Sequence, residues 1–171
     1  MIETPYIVFE DAIRTKKANE QVYEGSPLNL DVNGELKVAL PTEGVYGISK
    51  LDSNTHRDLA FGEFGAFGTG KLSVVKQGIV RVQDTVYNEI EIDTSMGPTS
   101  TPTTITLVAN VEWAVGNLVY VAANGVYTNV ATAGAASLCG KVTATPAMTG
   151  GWLEFEVDSA LSAVYHGATG A

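Results

Sequence analysis

Several things are scarce in this chain of 171 residues, and each scarcity excludes something. Cys139 is the single cysteine, so no intrachain disulfide can form, and its place between Leu138 and Gly140 in a strand-like run marks a packing thiol. No run approaches the roughly 20 apolar residues of a transmembrane helix. The opening Met1-Ile2-Glu3-Thr4-Pro5 has neither the basic start nor the apolar stretch of a signal peptide, so no export signal is expected. Basic residues are few: 10 Lys and Arg stand against 19 Asp and Glu, a formal charge of −9. That balance argues against binding nucleic acid, where phosphate neutralisation supplies much of the affinity, and against docking on anionic membrane lipid. Charge of either sign is sparse, with 17% charged residues against 45% hydrophobic. Much uncharged surface results, as at the centres of protein interfaces.

What the chain does have is β-strand pattern punctuated by turn dipeptides. In the second half, Leu118–Val121 and Val126–Val130 flank Asn124-Gly125, the strongest short-range hairpin signal. A third run follows at Leu138–Thr143, then a turn at Pro146–Gly151 and a fourth run at Trp152–Val157. In that last run Leu153, Phe155 and Val157 share one face, and Trp152, Glu154 and Glu156 the other. The first half has the same order. Leu28–Val32, Asn33-Gly34 and Glu35–Leu40 make a hairpin, and Val45-Tyr46-Gly47-Ile48 parallels Leu138-Cys139-Gly140-Lys141. Gly47 follows Asn33 by 14 positions, and Gly140 follows Asn124 by 16. The spacing reads as a degenerate internal repeat, with two unrelated hairpins in one β-domain as the alternative.

The expected fold is therefore all-β: a small β-barrel or sandwich built from two hairpin-containing β-modules, with an N-terminal arm. The arm is residues 1–24, the β-domain 25–158 and a flexible small-residue tail 159–171. The modules span about 25–93 and 105–158, joined by a Ser/Thr/Pro loop at 94–104, the clearest boundary in the chain. Within the arm, Tyr6–Phe9 reads as a short strand. Glu10–Gln21 has helix-compatible residues but only Ile13 and Val22 as an apolar stripe, so a helix there is marginal alone. The arm reads as part extended and part helical or looped, ordering on a neighbouring molecule, with a short capping helix on the β-domain as the alternative. Between Phe61 and Gly70, Phe61, Phe64 and Phe67 alternate with glycines, a pattern that suits a barrel plug or, second, a partner-facing tip.

Motifs that hint at chemistry fare poorly against simpler readings. Gly65–Lys71 fits the first seven positions of a phosphate-binding loop, but Leu72 replaces the Mg²⁺-binding hydroxyl residue and a strand follows where a helix is needed. His56 and His166 have no local metal-ligand partner, and one cysteine cannot complete a zinc set. Glu89, Glu91 and Asp93 alternate along one strand, roughly 6.6 Å apart, and read as a solvated face rather than a Ca²⁺ site. Trp113, Tyr120, Tyr127 and Trp152 fit cross-strand packing pairs or, alternatively, a sugar platform. No enzyme activity, cofactor or metal is expected.

The module Trp113–Val157 resembles a pattern found in tailed-bacteriophage head-decoration, or structural cement, proteins. There a G-[DN]-x-V-Y hairpin precedes a small-residue loop, a [LIV]-x-G-x-V strand, a glycine turn and a closing alternating strand. Here those parts are Gly116-Asn117-Leu118-Val119-Tyr120, Asn124-Gly125, Leu138-Cys139-Gly140-Lys141-Val142, Gly150-Gly151 and Trp152–Val157. The first half is similar in kind, and the resemblance covers roughly Leu28–Val157. It implies a virion structural protein, made in the host cytoplasm, that binds the outer surface of an expanded icosahedral capsid and stabilises capsomer contacts. The implied partners are the major capsid protein and the protein itself, as a dimer or trimer. Tyr6, Ile7, Phe9 and Ile13 of the arm, with Phe61, Phe64 and Phe67, are the capsid-binding candidates. The rival expectations are a carbohydrate- or receptor-binding β-domain of a phage fibre or adhesin and, with less to recommend it, a small hydrolase.

Overall fold

The computed structural model describes residues 2–11, 22–50, 72–93, 97–131, 137–145 and 151–158. The regular elements among these residues are β-strands apart from one 3-10 turn, and the main sheet is antiparallel and curled into a half-barrel. The strands are β1 (Ile2–Asp11), β2 (Pro27–Leu30), β3 (Leu36–Val38), β4 (Gly47–Ser49), β5 (Val74–Val82) and β6 (Thr85–Asp93). They continue with β7 (Gly97–Ile105), β8 (Leu118–Val121), β9 (Tyr127–Thr128), β10 (Gly140–Ala144) and β11 (Leu153–Asp158). The sheet order β3-β2-β4-β5-β11-β10-β8-β9 reads the same way from either end: hairpin, glycine-bearing strand, closing strand.

The two halves share more than an order. Gly25 and Gly116 each take φ 89°, and Gly34 and Gly125 take φ 76° and 72°. Each pair is 91 residues apart in the chain. Five backbone hydrogen bonds recur between corresponding residues. Gly25 N donates to Ser49 O at 2.8 Å, and Gly116 N to Val142 O at 2.9 Å. Ser26 N donates to Tyr23 O, and Asn117 N to Ala114 O, both at 3.0 Å. Ser49 N donates to Ser26 O, and Val142 N to Asn117 O, at 2.9 and 2.8 Å. Tyr46 N donates to Leu28 O, and Cys139 N to Val119 O, at 2.6 and 2.9 Å. Across the two turns, Asp31 N donates to Glu35 O at 2.8 Å and Ala122 N to Val126 O at 2.7 Å. One backbone is thus built twice from sequences that agree at little beyond their turn residues, because those residues carry the conformations other side chains resist.

The glycines of the third strand are fixed by contact rather than by turn geometry. A Cβ on Gly47 would lie 2.6 Å from Val75 O, and one on Gly140 would collide with Glu156 O. Both strands press a bare backbone against the closing strand, which sets Val74 and Val75 opposite the same role as Phe155 and Glu156.

β5 holds the two modules together. β1 pairs along one of its edges from Val74 to Val82. The other edge takes β4 at Val74 and Val75, then β11 from Gln77 to Val82. So β5 closes the first module and also flanks the closing strand of the second, as β1 flanks β5. Val75, Val80 and Val82 all enter the shared core although Val75 and Val80 differ in parity. The strand changes face between them, where Gly78 (φ 149°) lies. That core gathers Val45 and Ile48 from the first module with Val119, Tyr127, Leu153 and Phe155 from the second. A smaller cluster, Val22, Leu28, Leu36, Leu72 and Val74, belongs to the first module alone.

Two expectations are corrected. The Ser/Thr/Pro stretch at 94–104 is not a loop from Gly97 onward: it is β7, paired with β6 from Thr85↔Ile105 to Asp93↔Gly97 in a separate two-stranded ribbon. Threonine suits a pleated surface, and a two-stranded ribbon leaves an open edge on each strand where proline costs no ladder bond. Pro98 and Pro102 have the same parity and fit that one outward side. Nor is the first half of the supposed arm an arm, because Ile2–Asp11 is a strand of the chain's own sheet. β11 matches its expected pattern: Leu153, Phe155 and Val157 are buried and Glu156 is exposed.

Candidate interaction surface

Chemistry-bearing side chains of the interior are spent on packing. Cys139 is fully buried, its Sγ 3.3 Å from Val119 O, and burial pushes the thiol far above its ordinary range. Tyr127 is fully buried too: its hydroxyl donates to Gly25 O at 2.7 Å and its ring meets Phe155 at 5.1 Å, tilted by 54°. Burial, with Cys139 nearby, raises the Tyr127 phenol. Tyr120 is also buried, so neither tyrosine serves a sugar platform. Trp113 packs partly on the shared core and donates from Nε1 to Ala109 O at 3.2 Å. Among the described residues, no group of three His, Cys, Asp or Glu side chains stands where it could hold a metal ion.

The polar outer face is stitched across four strands. Arg81 of β5 is in register with Glu3 of β1 and Glu154 of β11. Its Nε donates to Glu154 Oε2 at 2.7 Å, and its NH1 lies 3.5 Å from Glu3 Oε2. Thr143 of β10 donates its hydroxyl to Glu154 Oε1 at 2.8 Å. The hydrogen bond from Arg81, then that from Thr143, hold the Glu154 carboxyl below its usual range. At the base of the ribbon, Asp84 Oδ1 accepts from Leu107 N at 2.7 Å and Val108 N at 2.9 Å.

Of the seven capsid-binding candidates, three fall on β1. Tyr6 is level with Ile79, Ile7 with Gly78 and Phe9 with Gln77, and the pairing is interrupted by register shifts on both sides of Phe9. Such bulges and Pro5 are the features that keep an outer strand from recruiting others indiscriminately. Ile13, Phe61, Phe64 and Phe67 lie outside the described residues, as do His56, His166 and the segment resembling a phosphate-binding loop.

A surface the sequence reading missed lies at the far end of the second module. Val115, Leu118 and Val130 are 68%, 43% and 62% exposed. The β8–β9 register, Tyr120↔Thr128 and Val121↔Tyr127, carried on two residues sets Leu118 level with Val130. A tight turn presents Val115: Asn117 Oδ1 accepts from Ala114 N at 2.9 Å and from Asn129 Nδ2 at 3.2 Å, and Asn129 Nδ2 also donates to Glu112 O at 2.7 Å. Three apolar side chains are thus held outward by a rigid polar frame. Their spacing in sequence hides them, since Val130 meets Leu118 only through the hairpin. No family profile, curated protein or solved structure matches the chain.

Proposed function

We propose that this is a virion structural protein that binds the outside of an expanded icosahedral phage capsid and stabilises the contacts between capsomers. The observation that supports the reading is where the resemblance motif falls. Its residues Gly116, Asn117, Asn124, Gly125 and Gly140 are those that build the repeated module. Gly116 and Gly125 supply the positive-φ turns, Asn117 frames the loop, and Gly140 packs bare against β11. The motif therefore describes one architectural unit rather than scattered turn chemistry. The outer strand β1, with Tyr6, Ile7 and Phe9 along it, is the described element through which the capsid is met. A specific contact of this kind buries about 800 Å² per partner. Repeated over a symmetric shell, modest affinity per site becomes large resistance to rupture.

The test is co-sedimentation of the purified protein with expanded and with unexpanded shells, counting copies bound per major capsid subunit. Saturable binding at a fixed ratio, to expanded shells alone, is expected. Failure to bind either form overturns the reading and makes a glycan screen the next experiment.

A further inference from the structure

Because the module is built twice, the chain itself shows what covers one of its surfaces. On the first module, Gly25, Pro27 and Ala39 are buried. The hairpin of the second module covers Gly25 and Pro27, and Ala39 lies in the shared core with its Tyr127. Gly125 is wedged so closely that a Cβ there would lie 2.5 Å from Val38 Cγ1 and 3.6 Å from Pro27 Cδ, and Tyr127 ties the same hairpin to Gly25 O at 2.7 Å. The matched hydrogen bonds identify the corresponding footing on the second module as Gly116, Leu118 and Val130. That footing is bare: Gly116 is exposed, Leu118 43% and Val130 62%. The corresponding turn of the first module is Val32-Asn33-Gly34, and its Val32 is 100% exposed.

We infer that in solution the Val32-Asn33-Gly34 turn of one copy seats on the Gly116–Leu118–Val130 footing of the next, with exposed Val115 beside it. The chain thus carries one unused turn and one unused footing, and the internal contact supplies the template for joining them. The charges are opposite in sign and so complementary: Asp31 and Glu35 flank the turn, and Lys141 stands level with Leu118 on β10. The contact is made at the tip and not by adding a strand, as in the internal template, where Gly125 meets the side chains of Val38 and Pro27 while β8 and β9 pair with neither β2 nor β3. Such a contact is heterologous, with different surfaces meeting, and successive copies close a ring or run on as a filament according to the rotation between them. Three apolar side chains fall well short of the area of a stable dimer, so association is weak and concentration-dependent. This inference does not rest on the capsid reading and would stand without it.

Sedimentation equilibrium of the full chain tests it. The weight-average mass is expected to rise from 18.0 kDa with concentration. Val32→Asp and Leu118→Glu, both at exposed positions and checked for an unchanged melting curve, are each expected to hold the mass at 18.0 kDa. An equal mixture of the two variants is expected to associate again, into pairs and no further, because one keeps the footing and the other the turn. A wild type that stays monomeric up to about 1 mM, association that survives both substitutions, or a mixture that fails to recover would each overturn the inference.

Discussion

The two modules have one backbone and two interiors. Leu36 and Tyr127 occupy the same place in their hairpins, yet Leu36 lies in the small cluster of the first module and Tyr127 in the shared core. Val74 and Phe155 correspond as well, and divide the same way. The turns and the bare glycine strand are what the repeat conserves, and the buried side chains are where it diverges. Local backbone needs thus set the module, while its neighbours set what fills it. Among the described residues the second module has no core of its own, because its hairpin packs into the shared core, whereas the first has a private cluster.

The sharpest way to break that comparison is to empty the two corresponding positions. Phe155→Ala should cost about 4 kcal/mol, because a large ring leaves a cavity at the centre of the shared core. Val74→Ala should cost about 2 kcal/mol, since fewer atoms leave a smaller cluster. Urea midpoints at unchanged slope measure both. Equal losses would mean that the two clusters are energetically one core. Next come the paired glycines. Gly140→Ala forces a methyl into Glu156 O and toward the Phe155 ring, and about 3 kcal/mol of destabilisation is expected. Gly47→Ala meets Val74 Cγ1 at 2.5 Å as well as Val75 O, and the side chain can yield in part, so about 2 kcal/mol is expected. Reversal of that order would show that β4, a strand of three residues, adjusts less readily than β10.

Tyr127→Phe sharpens the comparison differently, since the counterpart Leu36 has no hydroxyl to lose. Removing the donor leaves buried Gly25 O without this bond, and about 1–2 kcal/mol should be lost with little change in packing. The same residue, with Cys139, shapes the alkaline limit. Both groups are held neutral by burial, so their folded pKa values are raised. Their contribution is complete below the unfolded values, about 8.5 for a thiol and 10 for a phenol, and is lost as pH rises beyond them. Thermal melts from pH 7 to 11 should fall above about pH 8.5, and Cys139→Ala should move that onset toward 10. An onset unmoved by the substitution would mean that the thiol ionises without cost in the fold.

Most of the second module was legible in the sequence. Asn124-Gly125 has φ 62° and 72°, as a hairpin turn demands, and β11 alternates as its residues do. The repeat was legible through Asn33-Gly34 and Gly47, though the register that carries it also needed Gly25 and Gly116, whose positive φ no local pattern announces. β7 escaped because prolines and serines signal a loop unless the strand has an open edge. The double use of β5 was out of reach of any local pattern, since pairing partners 73 residues apart, such as Arg81 and Glu154, are chosen by the tertiary fold. The bare footing was hidden for the same reason: exposure of Leu118 and Val130 follows from which module lacks a cover, not from either residue.

The smallest expected effect compares two ion pairs, one inside the first module and one across the module boundary. In the first, burial alone would raise the Glu43 carboxyl, but hydrogen bonds from Lys37 Nζ at 2.6 Å and Asn29 Nδ2 at 3.4 Å outweigh it, and the net shift is down. In the second, Glu154 is lowered by Arg81 and Thr143. Both carboxylates are favoured in the fold, so each contributes stability above the unfolded pKa of about 4.3 that disappears as pH falls through the lowered folded value. The Lys37–Glu43 pair lies within one module, where the chain already holds the partners close. Arg81–Glu154 joins β5 to β11 across the module boundary, and Glu3 brings β1 to the same guanidinium. Glu43→Gln and Glu154→Gln should each flatten the fall in melting temperature between pH 5 and 3, by little, because exposed pairs are weak and screened. The two should then part in salt. Arg81 is the more exposed cation, 45% against 25% for Lys37, so the Glu154→Gln difference should shrink further at about 1 M NaCl than the Glu43→Gln difference. Equal salt sensitivity would mean that the boundary between the modules is held by its core alone.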